Sequence, residues 1–421
     1  MPCRLERLSA GRSSSAFGIG NPSPTLSWRF SGNVDDWFQA GYDVELRYQT
    51  GPPQAHHVDS EQSVCVPWPG KPLGSKDRVE VRVRAISTVG ITTDWASLQV
   101  EAALLDRQDW EASVTLGPEQ ASEQPTRPFH LRQSFTCSEP SAARLYVTAL
   151  GLYEIEINGQ RIGDHCLAPG WQSYKHRLHY QIFDVGSHLL KGHNTINAIV
   201  AEGWYSGRLG FMGGQRNHFG SEIGLILQLE VDGRVVVKTG EAGWEWAYGP
   251  HISAGIYDGE HVDKTIDLST ATWAPARSSP LPNTRLIAPQ APPVRQIREL
   301  SAKSIVHSPT GKIIIDFGQN LVGWLRLNAL CENSTIVLSH VEVLENGEIG
   351  TRPLRHAKAT DTHRLGCSRL DTKVYFPRIP LCPGRGFGRC YPGHLYCQGH
   401  SQRYGRNRLV RVFSRAHHAL P

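Results

Sequence analysis

Three Asx-Gly pairs set between apolar runs constrain this chain more than any other feature: Asn158-Gly159, Asp232-Gly233 and Asn346-Gly347. A two-residue hairpin turn needs positive φ at both central positions. Asn or Asp followed by Gly reaches that conformation at least cost, and the turn's twist matches its strands. The flanking sequence agrees. Tyr42, Val44, Leu46 and Tyr48 alternate with charged residues, and Val79, Val81, Val83 and Ala85 alternate with Glu80, Arg82 and Arg84. Period-two alternation marks strands with one buried face. The clearest single element spans residues 143–157, with Leu145, Val147 and Ala149 on one face and Ile155 and Ile157 continuing it. No internal repeat and no long amphipathic helix interrupts the pattern. The expectation is an all-β fold of tandem β-sandwiches.

Composition breaks divide the 421 residues into four parts. Residues 1–105 read as a first sandwich. Their order of Trp28, Tyr42 and a late Val-x-Val-x-Ala strand resembles a fibronectin type III module. Residues from about 101 to 107 form a link, and 106–290 a larger jelly-roll block. A Pro-rich stretch, 289–294, precedes a partial sandwich over 291–365.

The last part, 366–421, differs in kind. It holds ten of the 44 basic residues and one of the 39 acidic ones, so the overall charge of +5 becomes −4 in the body. That removes the case for a nucleic-acid partner, which a basic face would need. Four of the nine cysteines (Cys367, Cys382, Cys390, Cys397) also fall there, without zinc-ligand spacing. No disulfide framework, signal-peptide core or membrane span is expected, and a cytoplasmic setting is the default. Asn333-Ser334-Thr335 is a formal glycosylation sequon only.

Several longer runs resemble one family. Residues 143–159 (ARLYVTALGLYEIEING), 162–171 (IGDHCLAPGW), 202–211 (EGWYSGRLGF), 257–260 (YDGE) with Asp263, and 315–324 (IDFGQNLVGW) with Glu342 and the 360–362 run are similar to α-L-rhamnosidases, in the right order. The resemblance covers essentially residues 1–365. It implies inverting hydrolysis of terminal α-L-rhamnose, and a string of β-sandwiches ahead of an (α/α)6 barrel carrying the general acid and base. Inversion needs two carboxylates about 6.5–9.5 Å apart with water between them. No residue here matches those acids, so the chain is expected to be inactive by itself. The change after residue 365 suggests a shifted reading frame or an unspliced intron. A non-catalytic rhamnose-binding protein is the alternative.

In some relatives the second module binds rhamnose with the help of calcium. Sugar sites use aromatic faces for pyranose C–H groups and charged or amide groups for hydroxyls. The resemblance points to Trp171, Trp204, Tyr205, Arg208 and Arg216 for L-rhamnose or rhamnosylated glycans, and to Asp164 and Asn217 for calcium or hydroxyl contacts. The alternative is that the tryptophans are packing aromatics and Asp164 holds a turn. The acids of 257–263 bind a cation, reach over a neighbouring active site, or cap turn amides. Asp316-Phe317-Gly318 lacks every companion motif of a kinase, and residues 384–388 lack the strand and helix of a phosphate loop.

Overall fold

All three Asx-Gly pairs close hairpins, with φ of +52° and +75° at Asn158-Gly159, +49° and +78° at Asp232-Gly233, and +52° and +80° at Asn346-Gly347. The structure, a computed structural model, describes residues 3–11, 16–32, 36–121, 125–138, 142–327 and 334–365, and the strands Val374–Tyr375, His394–Gln398 and Val410–Ser414. Helix among these residues is limited to four 3₁₀ turns of three residues each, and none could cross a membrane. The fold is the expected series of β-sandwiches.

The first module pairs Arg4–Ala10 with Leu26–Ser31 against a five-stranded sheet that includes Gln39–Tyr48 and Arg78–Ser87. Tyr42 faces Ala85, Val44 faces Val83 and Leu46 faces Val81 across that sheet. Val79, Val81, Val83 and Ala85 are fully buried. Each valine contributes roughly 1.5–3 kcal/mol of transfer free energy, so the register is set by its apolar face.

The second module stacks two six-stranded sheets. Here the single element expected over 143–157 is two strands. Ala143–Leu150 pairs with Gly224–Val231, whereas Leu152–Ile157 pairs with Gly192–Ala201 in the opposite sheet. The crossing occurs at Gly151, whose φ is +134° and where a Cβ would sit 2.3 Å from the Ala201 carbonyl oxygen. Both strands bury apolar faces, so alternation alone hides the change of sheet.

The link between these modules is buried. Ala103 and Leu104 pack with Trp110, Tyr146 and Tyr180, and the Tyr180 hydroxyl donates to the Leu104 carbonyl at 2.6 Å. Lys76 pairs with Glu230 at 3.0 Å and Arg144 with Glu101 at 2.6 Å across the junction.

The third block forms a seven-stranded sheet and a four-stranded one. The larger sheet also takes in the hairpin His251–Gly255 and Gly259–Asp263, with His261 to Asp263 running parallel to Thr362 to Arg364. Three strands of the basic tail pair in these sheets, Val374–Tyr375 at the outer edge beside Leu325–Leu327. His394–Gln398 lies between Ile313–Asp316 and Thr335–Val341, and Val410–Ser414 between Arg298–Ser301 and Leu325–Leu327. The rest of the tail apart from Val374–Tyr375, and the sequon asparagine Asn333, lie outside the described residues.

Candidate functional site

Five of the seven expected site residues lie on one stretch, 202–217, that leaves the strand Gly192–Ala201. It begins as a tight turn in which the amides of Tyr205 and Ser206 donate to the Glu202 carbonyl at 3.2 and 3.3 Å. Gly207 is required there, since a Cβ would lie 2.1 Å from the Gly203 carbonyl oxygen. The chain then doubles back. Leu209 and Gln215 exchange N–H···O bonds of 2.9 and 2.7 Å, and Phe211 and Met212 project into solvent at the tip. Asn217 sits in the left-handed region (φ +59°), and its amide donates to the Ser206 carbonyl at 2.9 Å.

This path returns Arg216 to Glu202. The Glu202 side chain is 1% exposed, and its Oε2 accepts from Arg216 Nη1 at 2.7 Å and from the Thr126 amide at 3.1 Å. Burial pushes the Glu202 carboxyl up, against the opposing pull of Arg216 and the Thr126 amide. Arg216 Nη2 continues to Asp258 Oδ2 at 3.5 Å. Asp258 in turn holds Arg208, whose Nη2 donates to Oδ1 at 2.7 Å and Nε to Oδ2 at 3.4 Å. Arg208 also donates to the carbonyls of Gly213 (2.7 Å) and His356 (3.0 Å). Most of its donors are therefore spent within the protein, and its first effect is to tie the 207–216 loop to the third block. Glu202 is not among the expected site residues, and Asp258 is expected only as one of the acids of 257–263 that bind a cation, reach over a neighbouring active site, or cap turn amides. Only the fold places them at either end of Arg216.

The aromatic half of the site is a stack. The Trp171 and Trp204 rings lie 9° from parallel with centroids 6.3 Å apart. Trp204 is 8% exposed and Trp171 63%, so the inner ring backs an outer ring with an open face. Tyr205 packs inward, edge-on to Tyr174 at 5.2 Å. Trp204 is thus both a core aromatic and the support of the platform.

Asp164 and Asn217 stand on separate loops. Asp164 accepts from Arg295 Nε at 2.7 Å, and that guanidinium supplies the positive charge a calcium ion would bring. Among the described residues no group of three or more His, Cys, Asp or Glu side chains is placed to hold a metal. The acids of 257–263 have separate partners. Asp258 holds arginines, Glu260 Oε1 is buried 3.5 Å from His363 Nε2, and Asp263 accepts from the Thr265 amide at 3.0 Å.

Fold and site together define a string of accessory β-sandwich modules, the second of them carrying a polarised surface loop and a stacked aromatic pair. Three family descriptions match this string in order. The Rha78A-like N-terminal immunoglobulin domain matches residues 5–106, the α-L-rhamnosidase N-terminal domain 138–298, and the bacterial α-L-rhamnosidase concanavalin-like domain 306–378. The chain is therefore built from the N-terminal domains of the α-L-rhamnosidase family.

An α-L-rhamnosidase of Streptomyces avermitilis is 40% identical over 254 residues, which is 57% of this chain and 24% of the relative. One from an Alteromonas species is 29% identical over 377 residues, 82% of this chain and 40% of that one. The solved native α-L-rhamnosidase of Aspergillus terreus superposes with a TM-score of 0.87 at 36% identity, covering 98% of this chain and 49% of that chain. The S. avermitilis enzyme solved with L-rhamnose has the same fold over 97% of this chain and 57% of that one, with a TM-score of 0.85 at 21% identity. The chain thus spans at most two fifths of the curated relatives cited here, and about half of these solved ones.

Proposed function

We propose that this chain is the sugar-recognising N-terminal part of an α-L-rhamnosidase, and that by itself it binds rhamnosides without cleaving them. The observation that carries the reading is the open face of Trp171, backed by Trp204. A flat ring held parallel on a buried one offers its π face to the C–H groups of a pyranose, and the methyl group of a 6-deoxy sugar adds apolar contact. The loop held by Arg208, Arg216 and Asp258 adjoins that platform in sequence and fixes its conformation.

The same geometry does not suit Glu202 and Asp258 to act as a hydrolytic pair. Glu202 and Asp258 share Arg216 between them and are held by ion pairs, the reverse of an acid and base flanking a water. The solved rhamnosidase with bound L-rhamnose supports the sugar class.

Titrating the purified chain with methyl α-L-rhamnopyranoside, with and without calcium, tests the proposal. Saturable tryptophan quenching with a Kd on the order of 1 mM is expected for one stacked ring. Trp171→Ala should weaken it markedly, and 4-nitrophenyl α-L-rhamnoside should release no 4-nitrophenol. Absence of binding in both conditions, or binding indifferent to Trp171, would end the recognition claim. Turnover of the chromogenic substrate would end the claim of inactivity.

A further inference from the structure

The first module has a feature that the rhamnosidase reading does not use. At one end of its sandwich the strand Leu26–Ser31 stops and the strand Gln39–Tyr48 begins. Between them opens a cleft of about 370 Å3, lined by Phe30, Ser31, Trp37, Phe38, Gln39 and Glu61 among others. The Phe30 and Trp37 rings meet at 47° with centroids 4.9 Å apart. Phe38 is 64% exposed, although it is anchored by its carbonyl, which accepts from the Thr88 amide at 3.0 Å.

The polar wall is preorganised. The buried Gln39 side chain accepts from Trp28 Nε1 at 3.1 Å and donates to the carbonyls of Ser60 and Gln62 at 2.8 and 3.0 Å. It therefore cannot swing, and it fixes the segment that carries Glu61. We infer that this cleft is a second ligand site, distinct from the Trp171 platform, and that it takes a single neutral pyranose ring.

Three observations select that class. The volume lies at the small end of ligand pockets, which run from about 300 to 1,000 Å3, so it suits a single ring. Aromatic side chains at an angle suit the puckered C–H surface of a pyranose better than a flat guest, which stacks on one face. The Glu61 carboxylate accepts from sugar hydroxyls and repels an anionic sugar, so a neutral glycoside is preferred to a uronate.

The test uses the full chain carrying Trp171→Ala, so that signal from the other platform is absent and failure of one reading does not touch the other. Methyl α-L-rhamnopyranoside, methyl α-D-glucopyranoside, galacturonic acid and 4-nitrophenol are titrated separately, read by saturation-transfer NMR and tryptophan fluorescence. Saturable binding of a neutral glycoside is expected, at least fivefold tighter than galacturonic acid. Phe38→Ala, at an exposed position that leaves the core intact, should weaken it at least fivefold, and Trp37→Ala should do the same. Glu61→Gln should erase the preference over the uronate. The inference is overturned if neither glycoside binds, if Phe38→Ala leaves binding unchanged, or if 4-nitrophenol alone binds.

Discussion

Arg216 is the residue on which the geometry of the second module's surface loop turns. It stands between a carboxylate that is 1% exposed, Glu202, and a second that is 25% exposed, Asp258. Removing one partner of a buried pair leaves an uncompensated charge and costs roughly 3–5 kcal/mol, whereas replacing both is much gentler. Arg216→Leu should therefore lower stability at pH 7 by about 3 kcal/mol, and Arg216→Leu with Glu202→Gln by less. The pH dependence carries the signature. Burial already raises the Glu202 carboxyl, and loss of the guanidinium removes the main opposing influence. A group whose folded pKa is raised favours folding below its unfolded pKa and loses that contribution as pH rises through the folded one. The Arg216→Leu penalty, followed by urea melts, should thus be larger at pH 8 than at pH 5. An equal penalty at both pH values would mean that Glu202 is not the charge left behind. The sequence marks the 202–211 run, but no local pattern says that its first residue faces an arginine fourteen positions later.

At the scale of elements, the strands around His251–Gly255, Gly259–Asp263 and Thr360–Arg364 gather histidines where the second and third blocks meet. Burial pushes His363 down to about 3, with nearby Asp361 pulling the other way and Lys264 adding to the depression. Burial foremost, with neighbouring cations second, holds His251 and His130 down to about 4. Each ring binds a proton more weakly folded than unfolded. Their contribution is therefore intact above the ordinary histidine value of 6.5 and is lost as pH falls from 6.5 towards 4. Each such group costs about 1.4 kcal/mol per pH unit within that window. The melting temperature should drop steeply between pH 6.5 and 4. His130→Leu should flatten that drop, because the buried His130 Nε2 has no hydrogen-bond partner to lose. An unchanged slope in that variant would remove His130 from the account. These segments are not read from alternation, and histidines contributed by separate strands become neighbours only through the fold.

For the molecule as a whole, the question is which blocks stand alone. The first two modules share a buried link and two ion pairs, and each has its own core. The third block is smaller. Its buried cluster of Ile315, Phe317, Leu325, Ile336, Leu338 and Leu365 lies in sheets that take three strands from the basic tail. A partial sandwich over 291–365 predicts unpaired edges in this block. The tail strand His394–Gln398 instead occupies the gap between Ile313–Asp316 and Thr335–Val341. A sheet that depends on a five-residue strand from a charged segment is weakly secured, and its loss would expose two edges. A chain ending at residue 289 should therefore be more soluble than the full chain, measured by sedimentation after expression, although it frees the Gly259–Asp263 edge. Equal solubility would show that the third block is stably closed. The family match runs to residue 378, thirteen residues past the change in composition. If a shifted frame accounts for the residues after 378, translating the nucleotides beyond that codon in the other two frames should restore rhamnosidase-like sequence. Failure of both frames would remove the explanation.

The sequence by itself determined the secondary structure and the family. Hairpins arise from Asx-Gly pairs because positive φ is a local property, and strands arise from alternation because the period of two is local as well. The family is legible in ordered runs such as residues 143–159 and 202–211. Tertiary structure alone decided the rest. It split residues 143–157 between two sheets at Gly151, where the approach of Ala201 leaves no room for a Cβ. It set Trp171 on Trp204, turned Arg208 inward and gave Asp164 to Arg295. It also opened the Phe30–Trp37–Phe38 cleft between two strand ends. Each of these depends on groups distant in sequence meeting at a few ångströms, and no local periodicity encodes which distant partner arrives.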